Sequence, residues 1–335
     1  MTTQITILGL GQIGASIGLA LKESKSPIHR VGHDKNLGLE KAALSLGVVD
    51  DISKIPQAVR GADIVLLCLP LAEMRETLKK IGPHLKENSV VMDTAPIKSG
   101  TINWVKEFIP QGRFYLGLVP SLAPDSFASS ETGLNAARPD LFKQTIMVVD
   151  APPGMPLEVE QLAVDLAKLL GAKAMLTDIV ESDGLMTSVH LLPQLTAAAL
   201  LDVTIDGSGW MDARKLAGRP FAGVTGGLAY YDDPASLKEA VLASRFSVVH
   251  ALDLLMVSLK GLRDDIEKGD EKSVAERLDN AFASRERWLD ERAAAEWLKE
   301  GGDVMEAPDT GTQLRQILFG SNAFDRNKGK NKKKK

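Results

Sequence analysis

The chain has little cysteine, few aromatics and no excess of one charge. One cysteine among 335 residues, Cys68, excludes a disulfide framework and a cysteine-based metal centre. It lies in the apolar run Ile64-Val65-Leu66-Leu67-Cys68-Leu69 and reads as an inert core residue of a reducing compartment. The five histidines are scattered without ligand spacing, so no metal site is expected. Lys and Arg number 40 and Asp and Glu 44, which leaves no basic field for a nucleic-acid partner. No apolar run reads as long enough to cross a membrane, and the polar start enters a strand at once rather than a leader. These absences predict a cytoplasmic protein with no membrane partner. The block of like charge at Arg326–Lys335 reads as a disordered, solvated tail.

What is present begins at Ile5. The segment Ile5-Thr6-Ile7-Leu8-Gly9-Leu10-Gly11-Gln12-Ile13-Gly14 reads as a strand, a tight glycine turn and a helix start. Gly9 permits the sharp exit, Gly11 leaves room for a pyrophosphate, and Gly14 lets the helix lie close on the sheet. Free N–H groups at the helix start suit phosphate oxygens. An acid, Asp34, closes the next strand ~20 residues on, where it can accept hydrogen bonds from the ribose of NAD and repel a 2′-phosphate. NAD is therefore the expected cofactor, with Lys35 leaving NADP open. The cofactor set is Gly9, Leu10, Gly11, Gln12, Ile13, Gly14, Asp34, Leu69, Pro70 and Asp93.

Strand-like runs recur at Ile5–Leu8, Arg30–Gly32, Ile64–Leu69, Val90–Asp93, Phe114–Leu118, Ile146–Val149 and Lys173–Leu176, with helical patterns between most of them. Such alternation predicts an α/β fold, a doubly wound, Rossmann-type parallel sheet whose ligand sits at the carboxyl ends of the strands. After Val180 the strand signal stops. Leu185–Val203, Leu237–Ile266 and Ser273–Glu300 read as helices, and the glycine-rich Asp206–Asp233 reads as loop. The expected organisation is a dinucleotide-binding domain at 1–178, an all-helical dimerisation and substrate domain at 179–322, and the tail at 323–335. Helices this apolar predict a homodimer through the helical domain.

The layout resembles the prephenate and arogenate dehydrogenase family of tyrosine biosynthesis over about residues 4–290. The carriers are the glycine turn, Asp93 before Lys98-Ser99, Glu131-Thr132-Gly133-Leu134 with Leu141-Phe142, and Glu181-Ser182-Asp183 leading into Leu192-Pro193-Gln194-Leu195. The resemblance implies hydride transfer from a small carboxylate substrate to nicotinamide in a cleft between the two domains. Departures fall where the chemistry belongs. Val119 stands at the family's histidine in its Gly-x-His-Pro-Met-x-Gly stretch, and Pro96 at its Asp-x-x-Ser-x-Lys serine. The Ser-His-Leu-Pro-His motif reads His190-Leu191-Leu192-Pro193-Gln194. The arginine that holds a substrate carboxylate is Gly226.

Other side chains could carry the reaction. Asp183, Thr187, His190 and Gln194 are spaced to share one helix face. His190 is the expected proton-transfer group, with Asp183 and Lys98 as the other catalytic candidates. Thr187, Gln194, Ser121 and Arg245 are candidates for the substrate. A relative acting on a different small acid, and a non-catalytic NAD-binding dimeric regulator, remain as alternatives.

Overall fold

A strand buried on both faces is apolar at nearly every residue, as Ile64–Leu67 is. The computed structural model describes residues 2–24, 26–129, 131–230, 233–295 and 297. In it the apolar runs form one eight-stranded sheet: β1 (Thr3–Leu8), β2 (Ile28–His33), β3 (Asp51–Ile52), β4 (Ile64–Leu67), β5 (Val90–Asp93), β6 (Phe114–Pro120), β7 (Ile146–Asp150) and β8 (Lys173–Thr177). Their spatial order is β3-β2-β1-β4-β5-β6-β7-β8. Each strand expected from the sequence is present. The added β3 has two residues, too few to give a periodic signal.

The fully parallel sheet needs one correction. β7 runs antiparallel to β6, and β8 follows β7, so both oppose the rest. A parallel return requires a crossover element. Between β6 and β7 the described residues offer only two 3₁₀ turns, Pro124–Ala128 and Gly133–Ala136.

Helices cover both faces. α1 (Gln12–Lys22) and α6 (Leu157–Leu169) bury Ile17, Leu21, Leu162 and Leu166 against one face. α3 (Gln57–Arg60), α4 (Leu71–Ile81) and α5 (Ser99–Phe108) bury Val59, Met74, Leu78 and Val105 against the other, and α2 (Leu37–Ser45) follows β2. Register then places the site. Leu8 lies beside His33 and Leu67, and Leu67 beside Asp93. Gly9, Asp34, Cys68 and Thr94 therefore leave the sheet along one line.

Beyond Thr177 the elements formed by the described residues are all helical. α7 (Ile179–Met186) runs through a π-turn, Thr187–Leu191, into α8 (Leu192–Ile205). The single helix expected at Leu185–Val203 is thus two segments. Pro193 supplies the reason: it lacks an N–H and crowds the carbonyl of Val189, inside the π-turn. The expected loop at Asp206–Asp233 holds three short helices, α9 (Trp210–Leu216), α10 (Arg219–Thr225) and α11 (Gly227–Tyr230). Its glycines delimit these helices rather than preventing them.

The long helix expected at Leu237–Ile266 is also broken. α12 (Pro234–Ala243) and α13 (Arg245–Lys268) meet at Ser244 with a bend of 94°. The bend lets Ala240 and Val248 enter the same core as Leu71 and Ile97. α14 (Glu271–Ala294) returns beside α13 after Gly269, and buries none of its own residues. Glu300 and the tail at 323–335 lie outside the described residues.

The membrane expectation also needs correction. Ile179–Ile205 spans 27 residues with mean hydropathy 1.3, long and apolar enough by length and composition to cross a bilayer. Its polar side chains Asp183, Thr187 and Gln194 are buried in protein.

Candidate active site

The glycine turn has two kinds of glycine. Gly9 has φ +93°, and a Cβ there would stand 2.2 Å from the Cys68 carbonyl oxygen. A Cβ on Gly14 would stand 2.0 Å from the carbonyl oxygen of Gly9. Both are demanded by the fold. Gly11 is different, since a Cβ there meets nothing within 4 Å. Its open side is the space that a phosphate needs. α1 begins at this turn with no side-chain cap and no acid in its first turn. Its first N–H groups and dipole are therefore open to an anion, which fits a dinucleotide pyrophosphate.

Asp34 is fixed beside this turn. Leu10 N–H donates to its Oδ2 at 2.8 Å and Asn36 N–H to its Oδ1 at 2.8 Å. Each oxygen keeps a lone pair for a ribose hydroxyl. Lys35 pairs with Glu73 of α4, and that hydrogen bond is the first cause of its raised pKa. Leu10 is buried and Ile13 packs on the core, while Gln12 reaches toward the Ala136 carbonyl at 3.5 Å. Leu69 packs against Gly9, and Pro70 starts α4. Desolvation pushes the Cys68 thiol up to about 12, which keeps it protonated.

Next along the line is a buried polar cluster. Lys98 is completely buried, and its Nζ donates to the Asp93 carbonyl (2.9 Å), Asp93 Oδ1 and the Ala95 carbonyl (2.5 Å each). Tyr115 donates its hydroxyl to Asp93 Oδ2. Burial first, then the Asp93 charge, holds that phenol well above its usual range. Asp183 reaches across from α7. Its carboxylate accepts from Lys98 N (2.7 Å), Ser99 N (2.9 Å) and Ser99 Oγ, so it caps α5.

Asp150, at the end of β7, faces the same cluster and has no exposed surface. It pairs in register with Gly117, which lies beside Asp93 on β5. Neither carboxylate oxygen makes a hydrogen bond; Ser182 Oγ is close without completing one. Desolvation pushes Asp150 up to about 6, against the opposing pull of Lys98. Among the described residues, no group of His, Cys, Asp or Glu could hold a metal ion.

Comparison with known proteins bears on the family. Residues 17–179 match the model described as prephenate dehydrogenase, nucleotide-binding domain. The chain is 24% identical over 290 residues to the cyclohexadienyl dehydrogenase of Zymomonas mobilis, covering 84% of this chain and 94% of that protein. These matches support membership of the prephenate/arogenate dehydrogenase family. Its fold matches a crystal structure of prephenate dehydrogenase from Aquifex aeolicus with hydroxyphenyl propionate and NAD+ (TM-score 0.74, 21% identity, 86% of this chain and 98% of that one). It also matches Synechocystis arogenate dehydrogenase (TM-score 0.67, 20% identity, 85% and 100%).

The positions that the resemblance marks as replaced, Val119, Pro96, Leu191 and Gly226, carry no side chain that can transfer a proton. Val119 is buried in β6 opposite Val148, and Leu191 is fully buried. Pro96 precedes α5, and Gly226 ends α10. The expected polar face is altered by the π-turn. Its extra residue turns the helix so that the buried line runs Asp183, Thr187, Leu191, Gln194, and His190 is half-buried beside it. Thr187 Oγ1 donates to the Asp183 carbonyl at 2.7 Å, and Gln194 Nε2 to the His190 carbonyl at 3.1 Å. Arg245 is exposed at the start of α13 and stacks on Phe246, 4.7 Å from its centroid.

Ser121 follows β6 at the carboxyl edge. Its hydroxyl accepts from Arg292 Nη1 at 3.0 Å, a contact that the sequence did not suggest. Asp150, Tyr115 and Arg292 carry no motif. The signals that could have found them are an acid closing β7 and the Trp288, Arg292 spacing on one face of α14.

Proposed function

We propose that this chain oxidises a small carboxylate substrate with NAD, by hydride transfer in the cleft beyond the carboxyl ends of β1, β4, β5 and β6. The observation that carries this is the glycine turn with Asp34 locked on Leu10 N, within a family of dehydrogenases. The pyrophosphate is received by Gly9, Gly11 and Gly14 at the start of α1. The acid at Asp34 favours NAD over NADP, because Lys35 is already paired with Glu73. NAD supplies the hydride acceptor there.

The protein's own chemistry divides by burial. Lys98 and Asp183 hold the cleft in shape: the ammonium is occupied by Asp93 and two carbonyls, and Asp183 caps α5. His190, half-buried on the π-turn, is the side chain we assign to accept the substrate hydroxyl proton. Thr187 and Gln194 line the same turn. The apolar side chains exposed on α8 and α13, with Val203 72% and Phe246 77% accessible, support a homodimer through the helical part.

Prephenate itself is expected to be a poor substrate, because Val119 and Leu191 cannot take a proton. Loss of a general base lowers rate about 10²- to 10⁴-fold. The test is NADH formation from NAD+ with prephenate, arogenate and a panel of small hydroxy acids. NADH with any panel member, at a rate that His190→Gln removes, supports the reading. No turnover with any acid, despite NAD binding, favours the non-catalytic regulator. Prephenate turnover of several per second would refute the argument from the replaced residues.

A further inference from the structure

α14 buries none of its own residues, yet its last turns come back to the sheet. Trp288 stacks on Phe127 of the loop after β6, with centroids 5.9 Å apart and planes at 12°. Arg292 lies over Phe127 at 5.2 Å and over Trp297 at 5.1 Å. Lys173, at the start of β8, donates to the Trp297 carbonyl at 3.0 Å. β8 opposes β6, so its start lies at the same edge as the end of β6. This aromatic clasp therefore sits at the carboxyl edge, where a doubly wound sheet receives its ligand.

The guanidinium in the clasp meets no acid among the described residues. Arg292 Nη1 donates to Ser121 Oγ at 3.0 Å and Nη2 to the Leu122 carbonyl at 2.6 Å, both neutral oxygens. Its pKa is lowered by desolvation. Its Nε is buried with no acceptor among the described residues, and so is Trp297 Nε1 beside it. Contrast Arg30, Lys98 and Arg138, which lie on Asp50, Asp93 and Asp125. A desolvated cation beside a second unfilled donor is the donor set for a carboxylate. The same loop also touches α1, the helix that follows the glycine turn, through Arg138 N–H to Ser16 Oγ at 3.1 Å.

We propose that Arg292 and Trp297 Nε1 form the anion subsite of the cleft and take the substrate carboxylate, the role that Gly226 cannot fill. This rests on the oxidoreductase reading above.

The test titrates 3-(4-hydroxyphenyl)propionate, and its uncharged amide, into the full chain saturated with NAD+, read by calorimetry and tryptophan fluorescence. The expected result is that Arg292→Met weakens the carboxylate about 10- to 100-fold, the worth of a charge-assisted pair. Arg292→Lys should weaken it less, and Trp297→Phe a few-fold. NAD+ affinity and amide binding should stay within two-fold in each. Unchanged carboxylate affinity in Arg292→Met overturns the proposal, as does equal loss of acid and amide, which marks a structural clasp. If the wild type binds neither probe, the aromatic-substrate form of the reading fails, and acetate becomes the probe. A fluorescence response to acetate that Arg292→Met loses supports the subsite for another acid. No acetate response overturns it.

Discussion

Asp150→Asn should make the protein more stable, and more so as pH rises. Asp150 is wholly buried, makes no hydrogen bond, and has its pKa pushed from 3.8 to about 6 by desolvation. The native state therefore holds this proton to higher pH than the unfolded chain does. Stability from the protonated acid is fully present below about pH 4 and is lost as pH rises through about 6. The shift converts to about 3 kcal/mol at pH 7 or above, and about half of that at pH 5. An asparagine keeps the shape and carries no charge. Urea unfolding of both proteins at several pH values from 5 to 8 reads the difference directly. Subtraction removes the opposing acids, such as Asp50 and Asp233, whose lowered pKa values lose stability as pH falls. The mutant's advantage should grow by roughly 1–2 kcal/mol across that range. Parallel curves would refute the assignment of a buried, titrating carboxyl.

Three further outcomes are expected. Gly14→Ala should lower stability by about 1–3 kcal/mol or more, because its Cβ would stand 2.0 Å from the Gly9 carbonyl; a melting temperature equal to wild type contradicts this. Asp34→Ser should shift coenzyme preference toward NADP, read as the ratio of the two dissociation constants; an unchanged ratio removes Asp34 from the ribose. Phe246→Arg alters a residue that is 77% exposed in one chain, so a monomer should tolerate it within about 0.5 kcal/mol. In a dimer with an interface on the order of 2,000 Å², it should cause dissociation, visible by light scattering. A wild-type mass near one chain at micromolar concentration would sink the dimer.

Legibility followed how local each cause is. The glycine turn, Asp34 and the strand runs were readable because turn chemistry and burial on both faces act over a few residues. The reversal of β7 was not, since an apolar run has the same appearance in either direction. The π-turn hid behind a helical period, although Pro193 marked where it would fall. That one inserted residue moved Leu191 to the buried place expected for His190. Lys98 and Asp183 were identified by position, but their partners come from segments far along the chain, so spacing could not show that one is enclosed by Asp93 and the other caps α5. Asp150 is buried only because β7 pairs with Gly117 and lies near Ser182 of α7.

The central claim is that the open side of Gly11 is a pyrophosphate site. Calorimetric titration of NAD+ into wild type and Gly11→Val tests it most directly, because a side chain there meets no protein atom within 4 Å and the fold should survive. Saturable NAD+ binding by wild type, with a loss of at least about a hundred-fold in a Gly11→Val protein of native circular dichroism, is the predicted result. Equal affinity in the two proteins would contradict the account.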